Sequence, residues 1–147
     1  QFNYQMKFDG DEELYLALDE LTQVTDVRPV SAAYVRKVAS IAINIKEYKL
    51  VVHTLERYLR KAEPQGKLVA IYVIDALCRQ SRMKYGKEKD VFSARFALHM
   101  KETLSSLTNI PNNDKESLSR VLAIWREREI FPEDVFPAPA PAPAPAP

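Results

Sequence analysis

The stretch Leu68-Val-Ala-Ile-Tyr-Val-Ile-Asp-Ala-Leu-Cys78 limits the possible folds more than any other part of the chain. Read as a helix, it is apolar on every face except at Asp75. Such a helix has to be central, with other elements packed around it. Polar residues return only at Arg79, Gln80, Ser81 and Arg82. The rest of the chain must therefore supply the cover.

The covering elements also read as helices. No segment alternates with period two, and no Asn-Gly or Asp-Gly pair marks a hairpin. The three glycines (Gly10, Gly66, Gly86), and the four prolines that precede residue 137 (Pro29, Pro64, Pro111, Pro132), all fit joints between helices. A first helix is expected over about 11–22, with Leu14, Leu18 and Leu21 as its stripe and Asp11, Glu12 and Glu13 at the positive end of its dipole. A second is expected over about 32–45, with Ser31 as N-cap and Val35, Val38, Ala42 and Ile45 facing inward. The third covers about 47–61 and the central fourth starts near Lys67. The fifth runs over about 91–107 behind an Asp90 cap, and the sixth over about 113–128 with Leu118, Val121, Leu122 and Trp125 in register. Residues 130–136 form a short last turn or helix. The class is all-α, with sequential helices joined by short connections and wound as a superhelix.

The chain of 147 residues, 46% of them hydrophobic, fits one domain. Its formal net charge of +1 does not announce a general nucleic-acid binder. That total hides an imbalance. From Arg57 to Arg95 there are ten Lys or Arg against four acids, while the first twenty residues carry six acids against Lys7. A basic face for a small anionic partner and ordinary solvated helix surface explain this equally well. The single cysteine, Cys78, excludes an internal disulfide and reads as an inert core thiol, in keeping with a reducing compartment. No run reaches membrane-spanning length and no signal-peptide pattern is present, so an intracellular chain with no membrane role is expected. The organisation expected is an extension at 1–10, a domain at 11–136 and a linker at 137–147, where Pro and Ala alternate and should stay extended.

Residues suited to catalysis are scarce. His53 and His99 both fall inside expected helices and neither has a partner at metal-ligand spacing. There is no phosphate loop, nucleophile elbow or dinucleotide fingerprint. No enzymatic role, metal or cofactor is expected. Two residues stand out instead. Asp75 interrupts the apolar helix, and Arg79 lies four residues on in the favourable acid-first order. The two either form an internal pair or face a groove that offers acceptors and donors to a ligand. Arg120 sits beside the core stripe of its helix. It either lays its stem on that face or presents a guanidinium to phosphate.

Taken in order, several pieces carry a resemblance. They are Arg28-Pro-Val-Ser31, Tyr72-Val-Ile-Asp75-Ala-Leu-Cys-Arg79-Gln-Ser-Arg82, Lys87-Glu-Lys-Asp-Val-Phe92, Ala94-Arg-Phe96, Asp114-Lys115 and Arg120-Val-Leu-Ala-Ile-Trp125. This series resembles the CTD-interacting domains, most closely the members of the SR-related, CTD-associated factors, over roughly residues 11–136. The resemblance implies a right-handed superhelix of seven or eight helices, related to VHS and ENTH domains. It also implies binding of the phosphorylated heptad-repeat tail of the largest RNA polymerase II subunit, by a monomer in the nucleus that couples transcription to termination or RNA processing. Contacts to RNA would come from regions outside this fragment. By the same resemblance, Asp75 hydrogen-bonds the peptide, and Tyr72, Val30 and Ile124 line a pocket for the heptad tyrosine. Arg120 meets the phosphate on the serine at heptad position two. Arg79 meets a second phosphate or holds Asp75, and Ser31 and Arg28 shape the loop wall. Many members carry Ser after the helix-four Asp, where this chain has Ala76. The aligned basic positions early in helix two are Ala32 and Tyr34, followed by Arg36 and Lys37. Two other classes remain: a VHS- or ENTH-type trafficking adaptor, against whose lipid-binding version the acidic first helix argues, and a plain helical scaffold.

Overall fold

A computed structural model describes residues 7–25 and 29–137. Among the described residues seven α-helices follow one another: α1 (Asp11–Val24), α2 (Ala32–Ile43), α3 (Tyr48–Lys61), α4 (Pro64–Tyr85), α5 (Val91–Ala97), α6 (Met100–Ser105) and α7 (Asn112–Glu127). Short 3-10 turns at Lys87–Lys89, Leu107–Asn109 and Glu133–Val135 fill the joints, and no strand occurs among the described residues. The all-α expectation holds.

The apolar segment lies in the middle, as its composition requires. Helix α4 packs against α2, α3, α5 and α7, and Leu68 to Cys78 is buried except at Tyr72 and Ala76. Those two, with exposed Arg79, mark a strip of α4 that its neighbours leave partly open. Burial pushes the Cys78 thiol well above its ordinary range, the mark of an inert core residue.

Several helix boundaries differ from the sequence expectation. Helix α4 begins at Pro64, not near Lys67, so Pro64 and Gly66 lie in its first turn rather than in a joint. Proline suits the first helical position because that N–H has no intrahelical partner. Lys67, buried one turn in, donates from Nζ to the carbonyls of Leu59 (3.0 Å) and Arg60 (3.2 Å). A cation is thereby set at the negative end of α3. Burial lowers its pKa, against the pull of Glu63.

The second correction concerns the helix expected over 91–107. It is broken at Leu98-His99 into α5 and α6 and ends in a 3-10 turn. Phe92, Phe96, Met100, Thr103 and Leu107 are all buried, so the inward spacing runs through the break unaltered. His99 consequently stands at a joint, where its Nδ1 lies 3.4 Å from the Glu56 carboxylate of α3. Helix α2 is also two residues shorter than expected. Ile45, just past its end, is buried against Gly10, where an added Cβ would come within 2.9 Å of Ile45 Cγ1. Gly10 also has φ +95°, so close approach and backbone conformation both select glycine there.

Local caps form as read. The Ser31 hydroxyl accepts from the Ala33 N–H. Asp90 accepts from the Ser93 N–H (3.1 Å) and from the Ser81 hydroxyl, and Arg82 Nε lies 3.4 Å from its other oxygen. The end of α7 is closed by Ile130 N–H on the Trp125 carbonyl (3.0 Å) and Glu129 N–H on the Arg126 carbonyl (3.1 Å). Glu129 takes φ +52° there, the left-handed conformation of this type of helix stop. The segment then folds back to bury Ile130, Phe131, Val135 and Phe136. The linker expected at 137–147 and the extension at 1–10 lie largely outside the described residues.

Two predictions follow from these buried carboxylates. Asp90→Ala removes the cap of α5 and the acceptor for Ser81, and should lower stability by about 2–4 kcal/mol in urea unfolding. Glu56 is 5% exposed, and burial raises its pKa although His99, Arg60 and His53 oppose the rise. The folded state therefore binds the proton more tightly than the unfolded state. Stability falls as pH rises from the ordinary value of 4.5 through the raised one, and the loss persists above it. Glu56→Gln, which cannot ionise, should be more stable than the wild type at pH 7, and the difference should shrink as the pH falls to about 4.

Candidate functional site

Helices α4 and α7 lie side by side and run in the same direction. Their first turns face each other across a groove, Asp75 meets Trp125 midway, and Arg82 Nη1 donates to the carbonyls of Arg128 and Glu129 at the far end. The groove has a volume of about 660 Å³. The α4 side is mainly apolar, with Leu68, Val69 and Tyr72 beside Gln65, Pro29 and Val30, and the α7 side is polar, made by Asn113, Asp114 and Ser117 just after Pro111. Helical spacing explains the walls. Gln65, Leu68, Tyr72, Ala76 and Arg79 share one face of α4, and Asn113, Ser117, Arg120 and Ile124 share one face of α7. An extended or turned peptide fits such a trough, with an apolar side chain on one wall and hydrogen-bonding groups on the other.

Asp75 holds the two helices together. It is 6% exposed. Trp125 Nε1 donates to its Oδ1 at 2.8 Å, while Arg79 donates from Nε (3.0 Å) and Nη2 (2.6 Å) to its Oδ2. A buried carboxylate is tolerated when its charge is paired and its lone pairs are used. The internal pairing between Asp75 and Arg79 is therefore present. Oδ1 keeps acceptor capacity for one further donor. The Asp75 carboxylate raises the pKa of the Arg79 guanidinium through this bond, so Arg79 stays cationic.

The other residues singled out in the sequence fall as follows. Val30 and Tyr72 line the groove together. Ile124 is half-buried and Arg120 is exposed, both on the α7 face that continues the polar wall. Arg120 Nη2 bonds Glu116 Oε1 at 2.7 Å. Ser31 is committed to capping α2 at the groove's edge, one residue past Val30. Arg28 lies outside the described residues. The sequence reading missed the polar wall of α7, because Asn113 and Ser117 resemble ordinary solvated helix positions, and it missed Gln65 on α4 for the same reason. It also missed Trp125 as the partner of Asp75, fifty residues away. Among the described residues there is no cluster of three metal-ligating side chains, and no helix long and apolar enough to cross a membrane.

Comparison with known proteins places this arrangement. The profile of the CID domain family matches residues 16–138. The chain belongs to the CID family. Among curated relatives, SR-related and CTD-associated factor 8 of Homo sapiens is 37% identical over 118 residues, covering 79% of this chain and 9% of that protein. SR-related and CTD-associated factor 4 of Homo sapiens is 36% identical over the same length, covering 79% of this chain and 10% of the relative. The chain thus spans about a tenth of the length of these relatives. Among solved structures, the CID of Seb1 from S. pombe superposes with a TM-score of 0.72 at 18% identity, over 84% of this chain and 89% of the other. The yeast Nrd1 CID, solved in complex with Sen1 NIM1, gives 0.70 at 18% identity, over 85% and 92%. These likenesses show the CID fold.

If Asp75 joins α4 to α7 as described, Trp125→Phe keeps the ring but removes the donor. The variant should lose about 1–3 kcal/mol of stability, read by circular dichroism during denaturant unfolding because the variant has no tryptophan to follow.

Proposed function

We propose that this CID binds the phosphorylated heptad-repeat tail of the largest RNA polymerase II subunit in its α4–α7 groove. The observation that carries the reading is a groove between the first turns of α4 and α7 with Val30 and Tyr72 in its lining, and an exposed cation, Arg120, one turn beyond Ser117 on the same face of α7. A heptad tyrosine fills the pocket, with Ile124 extending its wall. Arg120 receives the phosphate on the serine at position two. Asp75 offers the remaining capacity of Oδ1 to the peptide backbone or tyrosine, and Arg79 holds Asp75 in place with its outer edge toward any second phosphate. Ser31 and Arg28 shape the loop beside Val30. The names of the SR-related and CTD-associated factors support a tail partner, and the Nrd1 CID in complex with Sen1 NIM1 supports a partner-binding role for this fold. The domain acts as a monomeric interaction module without catalysis, working in the nucleus in transcription termination or RNA processing, with RNA contacted by other parts of a longer protein.

The physics suits such a reader. A phosphate carries nearly two negative charges and three acceptor oxygens, which match a guanidinium fork. The free tail is disordered, so ordering it offsets part of the contact energy and each heptad binds modestly. Many heptads on one tail restore occupancy through effective concentration.

The test is a fluorescence-anisotropy titration with two-heptad peptides at fixed salt, unphosphorylated or phosphorylated at position two, five or both. Binding should depend on phosphate, and Arg120→Ala should weaken it by about 1.5–3 kcal/mol, roughly ten- to a hundredfold in Kd. No binding to any peptide by the folded protein would overturn the reading and leave a scaffold or adaptor role.

A further inference from the structure

The cation assigned to phosphate is already engaged. Arg120 Nη2 bonds Glu116 Oε1 at 2.7 Å, one turn back on α7, with the two side chains 69% and 77% exposed. Nothing in the fold requires this pair. Neither residue is buried, and an exposed i, i+4 pair adds little to helix stability. Its position gives it a consequence, because Glu116 stands beside the guanidinium that an incoming anion must reach. Asp75 and Arg79 offer the contrast: that pair is buried on the carboxylate side and fixes α7 through Trp125.

We propose that Glu116 is a specificity-determining residue, a resident carboxylate that competes for Arg120 and makes the groove demand a phosphate dianion in preference to a carboxylate. The inference rests on the assignment of Arg120 to phosphate. The exchange is simple in charge. A peptide carboxylate that displaces Glu116 trades one singly charged partner for another, and must also immobilise itself to do so. A phosphate dianion brings close to two charges and three acceptor oxygens, so the trade favours it. Being exposed, Glu116 can swing into solvent once displaced, though its charge still opposes whatever anion takes its place. The competitor therefore lowers affinity for every anion and lowers it enough to exclude the weak ones.

Three peptides and four proteins decide the matter. The peptides are two-heptad segments with serine, phosphoserine or glutamate at position two. The proteins are the wild type, Glu116→Gln, Arg120→Ala and the double variant, each checked for helical content and thermal unfolding. In the wild type, the glutamate peptide should bind no better than the serine peptide. Glu116→Gln should tighten the phosphopeptide about three- to tenfold and give the glutamate peptide a measurable advantage over serine. With Arg120→Ala in the background, the Glu116→Gln gain should vanish. Loss of phosphate dependence in Arg120→Ala together with an inert Glu116→Gln overturns the competition and leaves the phosphate assignment standing. A Glu116→Gln gain that survives Arg120→Ala makes Glu116 a general repulsive charge and also overturns it. An Arg120→Ala protein that still prefers phosphopeptide as the wild type does overturns the phosphate assignment, and the competition with it.

Discussion

A single buried carboxylate organises this domain. Asp75 interrupts the apolar face of the central helix, where an unpaired charge would be costly. Its two oxygens draw in an arginine from the same helix and an indole from the last one. The first bond is local and neutralises the charge. The second is long-range and sets how far along α4 the helix α7 can slide. Because the groove consists of one face from each of these helices, its register follows from the bond in the core beneath it. Replacing the carboxylate with an apolar residue could keep the packing and still lose the register.

The strip of α4 left open deserves the same physical reading. A helix apolar on all sides asks to be covered completely, yet Tyr72 and Ala76 are only partly covered. The remaining apolar surface lies beside amide and hydroxyl groups of α4 and α7, not in a dry pocket. Rigid helices carry most of both walls, so the shape of the site owes little to loops apart from Pro29, Val30 and Pro111. Sites built this way are largely formed before a ligand arrives.

Much of this was legible in the sequence, and the failures have definite causes. The helical class, the caps at Ser31 and Asp90 and the Asp75–Arg79 pair are local patterns, and each formed. The break at Leu98-His99 left no trace, since Phe92, Phe96, Met100, Thr103 and Leu107 keep helical spacing across it. Pro64 and Gly66 read as a joint in the sequence because proline and glycine usually punctuate helices, whereas proline is equally at home in a first turn. The partner of Asp75 was hidden by fifty residues of separation, although Trp125 was recognised as part of an inward stripe. For Lys67 the sequence marks only the start of the central helix, and the geometry of the α3–α4 joint shows that it closes the end of α3. The cation at Arg120 was recognised, but its neighbour Glu116 was not, because a charge one turn away on an exposed face reads as solvated surface.

The chain contains one tryptophan, and it is the residue bonded to Asp75, stacked edge-on to Phe131 with ring centroids 4.9 Å apart. The indole is fully buried in the seam between the central helix, the last long helix and the returning C-terminal segment. The protein therefore carries its own fluorophore at the junction that sets the groove's register. Separation of those three elements would bring water to that ring, so intrinsic emission can follow this seam without any attached label, while far-ultraviolet signals average over all seven helices.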